Sequence, residues 1–346
     1  MSSLPELLIH IGAGKTGSTS IQFTLKNARE ALLEQGTAYA GLVLEHVQGA
    51  RKYDWCTEGA PQKFFKSDDR RRAKEEMYTL LREALDRYAA RGVQRVIWSN
   101  EAFLTRHEPE LEVIQRLARD GVPIRLICYV RRHDKWARSG YVQFGIKYKT
   151  YQGPLRNFAE WTDAQDISYF QNLETWRKAF PGELEIYNFD TAGDVVTHFL
   201  DKAGLTGIEV VRANDSPSNA LLAAWAAFNN RFDMPMLPSA FMRIAKPLKI
   251  LTSRYSVSPP IDELLPSAAQ LADVQKRYRM DLERTNRLLA ENGEPPMVFD
   301  TPDEKSRTAT TWEIDHMLLQ MVFSLQKQVS DLQEEVETLK KQKDFA

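Results

Sequence analysis

The chain has 346 residues, with 46 Lys and Arg against 47 Asp and Glu, for a net charge of −1. Apolar residues make up 43% and charged residues 27%, which excludes a disordered tail, a collagen-like fibre and a disulfide-framework miniprotein and leaves a soluble globule of one large α/β domain with additions or two smaller ones. Balanced charge also removes any global field for nucleic acid or an anionic membrane, so a polyanion site has to be local.

Residues 7–11 (Leu-Leu-Ile-His-Ile) form a short apolar run that ends in a glycine turn. An amphipathic stretch with Ile21, Leu25, Leu32 and Leu33 follows, which predicts strand, turn, helix. From 41 to 70 the pattern dissolves into polar and aromatic residues (His46, Tyr53, Trp55, Phe64, Phe65), a candidate acceptor loop. A helix is expected over 71–91, stopping at Gly92 before a strand over 93–98. The cycle repeats with a helix at 109–119, a strand at 124–130 and a helix from 134 to 147. It repeats once more with a helix at 167–179, a strand at 183–189 and a helix at 194–202. Helices alternating with short apolar strands predict a doubly wound α/β fold with a mostly parallel sheet. After 216 the strand signals vanish and helical stretches broken by prolines take over.

Leu318, Val322, Leu325, Val329, Leu332, Val336 and Leu339 are spaced alternately four and three apart. Leu at d and Val at a satisfies every spacing, and that choice favours a parallel two-stranded coiled coil, with Glu335 at g facing Lys340 at e of the partner helix. The expected organisation is a core over 1–215, a helical region over 216–310 and a dimerising tail over 316–343. Cys56 and Cys128 suggest neither a staple nor a metal cluster, and a reducing cytoplasm is expected. The first residues lack the basic start and long apolar stretch of a signal peptide, and nowhere do about 18 apolar residues run together to cross a membrane.

The strongest local signal is Ile9-His10-Ile11-Gly12-Ala13-Gly14-Lys15-Thr16-Gly17-Ser18-Thr19-Ser20. Such a turn aims backbone N–H groups and the positive end of a helix dipole at one point, and adds a Lys charge and four hydroxyls. A Walker A loop would need glycine at position 9, where isoleucine stands, which weakens a nucleoside triphosphate reading. A second basic site follows the strand at 124–130. Arg131 leaves that strand's carboxyl end, where open α/β sheets bind ligands, and Ser139 lies eight residues on.

These two segments resemble the sulfotransferases that use 3′-phosphoadenosine 5′-phosphosulfate. Lys15-Thr16-Gly17-Ser18-Thr19 matches their 5′-phosphosulfate loop, with Ser18 in place of Thr, and Arg131 and Ser139 match the pair that holds the 3′-phosphate. The resemblance covers 1–150 well, extends to about 205 and thins beyond. Asn214-Asp215-Ser216-Pro217 and Asn286-Arg287-Leu288-Leu289 are short similar stretches, and Ser306-Arg307-Thr308 is a candidate late basic segment. The resemblance implies that Gly14, Lys15, Thr16, Gly17, Ser18, Thr19 and Ser20 surround the phosphosulfate. It also implies that Lys15 contacts the bridging oxygen, that no metal is needed, and that a Glu or a His removes the acceptor proton.

Glu101, at the end of the strand over 93–98, is the first candidate base, with His107 and His46 as alternatives. His10 fits packing or loop orientation, and His133 could touch the nucleotide. The run Arg70-Arg71-Arg72 reads as a solvated helix start; lining a cleft, it would favour an anionic sugar. The expected function is sulfuryl transfer to a hydroxyl of a carbohydrate or glycoconjugate. A metal-dependent kinase, with Glu101 or Asp190 on Mg²⁺, and a catalytically silent dimeric scaffold remain as alternatives.

Overall fold

β1 (Glu6–Gly12) is buried from Leu7 to Gly12, as expected of a strand with neighbours on both edges and helices on both faces. The computed structural model describes residues 3–56, 70–108, 110–212, 217, 219–230, 232–245 and 264–300, and beyond them 318, 325, 328, 329, 331–333, 335 and 336. Within these residues β2 (Thr37–Gly41), β3 (Arg95–Ser99), β4 (Ile124–Val130) and β5 (Leu184–Asn188) join β1. The five strands form one parallel sheet in the order β2-β3-β1-β4-β5. In register, Leu8 pairs with Ile97 of β3 and Arg125 of β4.

Alternation along each strand sorts the core into two layers. Leu8, Ile97, Ile127, Tyr129 and Tyr187 face one layer. There they meet Ile21 and Leu25 of α1 (Ser18–Asn27), Leu32 of α2 (Arg29–Glu34), and Val196 and Phe199 of α8 (Val195–Lys202). Side chains of opposite parity, among them Ile9, Trp98 and Leu126, are fully buried on the other face. That face carries α3 (Arg70–Ala90), α4 (Glu110–Arg119), α7 (Phe170–Ala179) and α12 (Arg279–Glu291). The fold is the doubly wound α/β arrangement expected from the alternating pattern.

The chain divides into two compact units, each discontinuous in sequence. One comprises Met1–His133, Ser168–Asn214 and Arg277–Phe299; the other comprises Asp134–Ile167, Asp215–Lys276 and Asp300–Ala346. The first holds the sheet. In the second, most of α5 (His133–Gly140) runs into a π-helical segment, Tyr141–Lys147, where a single α-helix over 134–147 was expected. Around that wider turn Gly145 lies against the Tyr141 ring, where a β-carbon would sit 2.3 Å from the ring edge. The second unit also contains α6 (Phe158–Asp163), α9 (Asn219–Asn230), α10 (Pro238–Ala245) and most of α11 (Ala268–Arg277). Asn229 of α9 donates to the Ile146 carbonyl at 2.6 Å. In the tail, Leu318, Leu325, Val329, Leu332 and Val336 are helical and exposed; Val322, Leu339 and Lys340 lie outside the described residues.

β2 is an addition to the expected strands. Thr-Ala-Tyr-Ala-Gly carries little apolar bulk and two alanines, which are poor strand formers, yet all five residues are buried.

Candidate functional site

The order β2-β3-β1-β4-β5 reverses direction at β1. The chain leaves β1 toward β3 and β2 on one side and later builds β4 and β5 on the other, so the crevice at the carboxyl ends of β1 and β4 is a topological switch point. Both segments singled out in the sequence leave strands at that crevice.

The loop after β1 is fixed by close contacts. Gly12 has φ 102, and a β-carbon there would lie 2.5 Å from the Glu101 carbonyl oxygen, so β1 can pass the turn after β3 only as glycine. The Ala13 N–H donates to the Tyr129 carbonyl at 2.9 Å, tying the loop to β4. Lys15 is left-handed at φ 66. Gly17, at φ 80, precedes α1 with no side-chain cap; its carbonyl accepts from the Ser20 and Ile21 N–H groups at 3.0 and 3.2 Å, and the start of α1 adds a positive dipole end.

The hydroxyls divide into two sets. Thr16 is fully buried and its Oγ1 donates to the Ala13 carbonyl; Ser18 Oγ donates to the same oxygen at 3.4 Å. These two brace the turn from within. Gly14, Lys15, Gly17 and Ser20 are partly exposed and Thr19 is exposed, so they form the rim that a ligand would meet.

Arg131 follows β4. Its Nη1 donates to the Lys15 carbonyl at 3.2 Å, its guanidinium lies 5.0 Å from the centroid of the Phe189 ring, and its Nε is 3.9 Å from Asp190 Oδ1. The two basic segments, 116 residues apart in sequence, therefore meet at one place in the first unit. Ser139 is partly exposed on α5, in the second unit.

Glu101 opens a 3₁₀ turn, Glu101–Phe103, capped by Asn100, whose Oδ1 accepts from the Ala102 N–H at 3.0 Å. Its carboxylate Oε2 accepts from Gln22 Nε2 at 2.7 Å. The Glu101 Cγ lies 4.0 Å from where a β-carbon on Gly14 would stand, so this carboxylate borders the loop. A carboxylate thus stands beside a converging set of N–H donors, one Lys and one Arg, an arrangement suited to gripping an anion and accepting a proton next to it.

The histidines separate by environment. His10 is fully buried, with Nδ1 2.8 Å from Ser99 Oγ and rings of Tyr129 and Phe199 around it, and burial pushes its pKa down to about 4. It is a packing residue of β1. His46 Nδ1 accepts from Arg29 Nη1 at 2.9 Å beside Glu45 and Tyr39, inside the anchored start of the 41–56 loop. His107 is partly buried, and its carbonyl accepts from the Leu111 N–H at the start of α4. His133 is buried against the stacked Tyr278 ring, with Nε2 2.8 Å from Asp281 Oδ2. Asp281 also accepts from the Tyr169 and Phe170 N–H groups. Although burial works to raise its pKa, the bonds from His133 and those amides hold it below the usual carboxylate value. His133 therefore belongs to the join between the end of β4, α7 and α12.

Arg132 donates its Nη1 to the Val298 carbonyl at 3.1 Å and its N–H to Asp190 at 3.0 Å, which fixes the turn rather than the crevice. Trp55 is buried and donates to Glu76 at 2.9 Å, with Tyr53 stacked on it, so these aromatics anchor the loop. Phe64, Phe65 and Ser306-Arg307-Thr308 lie outside the described residues, as do Asn214, Asp215 and Ser216. Arg70, Arg71 and Arg72 are exposed at the start of α3. Asn286 exchanges two hydrogen bonds with the Met297 backbone, at 2.8 and 2.9 Å, a structural clamp. Gln22 and Asp281 are contributors that the sequence reading did not single out. Helical spacing was a signal for Gln22, one turn beyond Ser18; a contact across 148 residues, as between His133 and Asp281, leaves none. Among the described residues no three His, Cys, Asp or Glu gather as a metal site, and no helix is long and apolar enough to cross a membrane. Cys56 and Cys128 are free and buried.

No protein-family model matches the chain. An uncharacterized protein of Archaeoglobus fulgidus is 26% identical over 148 residues, 40% of this chain and 39% of that protein. The chain thus matches well under half the length of that relative. A crystal structure of retinol dehydratase in complex with androsterone and inactive cofactor PAP aligns with 95% of this chain and 82% of its own, at 10% identity and a TM-score of 0.24.

Proposed function

We propose that the protein transfers a sulfuryl group from 3′-phosphoadenosine 5′-phosphosulfate to a hydroxyl of a carbohydrate or glycoconjugate. One observation carries this reading: Arg131 Nη1 lies 3.2 Å from the Lys15 carbonyl, so the two basic segments grip at one crevice, as a nucleotide with phosphate groups at both its 3′ and 5′ positions requires. The residues present suit that donor. Lys15 and the uncapped start of α1 answer the 5′ end, where charge grows on the departing phosphate. Arg131 offers a planar fork to the 3′-phosphate. The rim of Gly14, Gly17, Thr19 and Ser20 lets backbone approach the ligand, while Thr16 and Ser18 hold its shape. Glu101 receives the acceptor proton. If the exposed arginines at the start of α3 line the acceptor cleft, they favour an anionic saccharide.

The tail adds an assembly. Leu318, Leu325, Val329, Leu332 and Val336 are each helical and 47–59% exposed, which supports pairing with a second copy through the a/d seam, in a cytoplasmic homodimer.

Calorimetry tests the nucleotide reading. Adenosine 3′,5′-bisphosphate is expected to bind without metal. Arg131→Ala is expected to weaken it about tenfold to a hundredfold, with adenosine 5′-phosphosulfate changed by less than about threefold. Binding of ATP only with Mg²⁺ would indicate a kinase, and equal losses for both nucleotides would remove Arg131 from the 3′-phosphate.

A further inference from the structure

We propose that Gln22 is a positioning residue that aims the Glu101 carboxylate, a role that rests on the sulfuryl-transfer reading. Gln22 stands four residues after Ser18 on α1, so both share the helix face that opens on the loop. Its Nε2 donates to Glu101 Oε2 at 2.7 Å and approaches the Ser99 carbonyl at 3.4 Å. One amide thus ties the anion-binding helix to both the side chain and the backbone that close β3. The Glu101 main chain is already fixed from the other side, by the Asn100 cap and by its close approach to Gly12. What those contacts leave to rotate is the carboxylate itself, and Gln22 is its one hydrogen-bond partner among the described residues.

The chemistry explains why an amide stands there. With Oε2 held, Oε1 is turned to an incoming hydroxyl. The acceptor proton passes to Oε1 as the new O–S bond forms; the S–O bond to the 5′-phosphate breaks, and its electron pair leaves on the phosphate oxygen beside Lys15. A Lys or Arg at position 22 would orient the carboxylate but offset the charge that has to take the proton. A neutral donor orients it without that penalty, and misaiming a reacting group by about 1 Å costs on the order of a hundredfold in rate.

The test uses the full chain, with Gln22→Met, which keeps length and removes the donor, and Gln22→Asn, whose amide ends one methylene short. Binding of adenosine 3′,5′-bisphosphate is measured by calorimetry, and transfer to water is measured as labelled sulfate released at saturating donor. Both variants are expected to bind the nucleotide within about threefold of wild type while the saturated rate falls about tenfold to a hundredfold. Adding Glu101→Gln to Gln22→Met is expected to cost little more than Glu101→Gln alone, because the amide acts only through that carboxylate. Unchanged rates, losses that multiply in the double variant, or nucleotide affinity falling in step with rate would each overturn the role. Wild type that binds the nucleotide but releases no sulfate overturns Gln22 and Glu101 together. Wild type that does not bind it overturns the sulfuryl-transfer reading itself, and the Gln22 role with it.

Discussion

Lys15 adopts a left-handed backbone, φ 66, which costs a residue with a β-carbon about 1–2 kcal/mol. Strain of this kind persists where surrounding contacts impose it, and here they do: Ala13 is pinned to Tyr129 on one side and Gly17 opens α1 on the other. Glycine would remove the strain but also the ammonium. Lys15→Gly is therefore expected to be more stable to urea unfolding than Lys15→Ala, by about 1 kcal/mol, while both lose nearly all turnover. Near-normal turnover in either variant removes Lys15 from the chemistry. The residues of this loop were legible because glycines, hydroxyls and a lysine crowd into a few positions. The division of labour among the hydroxyls was not, since only the folded turn brings Thr16 and Ser18 onto one carbonyl.

Among the elements, β1 and β3 share a polar contact in an apolar layer. His10 of β1 and Ser99 of β3 meet at 2.8 Å, with His10 fully buried. Burial lowers its pKa from 6.5 to about 4 in the folded chain. Between those values the unfolded chain holds the extra proton, so stability falls on acidification from about pH 6.5 toward pH 4 and is complete above that window. From pH 7 to pH 5 the loss attributable to His10 is about 2 kcal/mol. Urea unfolding of wild type and His10→Gln at both pH values checks this, and an equal fall in the two proteins would show that His10 is not responsible. At this scale most elements were legible from apolar runs and their stops; β4 matches its expected 124–130 bounds. β2 was hidden because its alanines carry no strand signal, and the π-helical turn at Tyr141–Lys147 was hidden because it shares the periodic apolar face of an ordinary helix.

For the whole molecule, the tail offers the plainest experiment. If the seam pairs in parallel and in register, each d position meets its own copy. Leu332→Cys is then expected to cross-link quantitatively under mild oxidation. The native thiols stay silent, since both are buried and burial raises the Cys56 pKa to about 12 and that of Cys128 further. Removing residues from 316 onward should halve the mass found by light scattering. A full-length monomer, or cross-linking unaffected by moving the cysteine to a solvent-facing position, removes the zipper. The heptad was legible because it is a pattern of residue types alone. The partition of the chain into two units was not, because it depends on which distant segments touch.

The unit that holds the crevice takes its last segment from Arg277–Phe299, and Asp281 in that segment supplies the hydrogen-bond partner of the buried His133, two residues beyond Arg131. A nascent chain that has completed all five strands by Asn188 must still be extended by about a hundred residues before the imidazole finds its carboxylate. At about 5–20 residues per second, that leaves the half-built pocket waiting on the order of ten seconds on the ribosome. Over that interval the surface that Arg277–Phe299 comes to cover stays open to premature self-association, against which chaperones act.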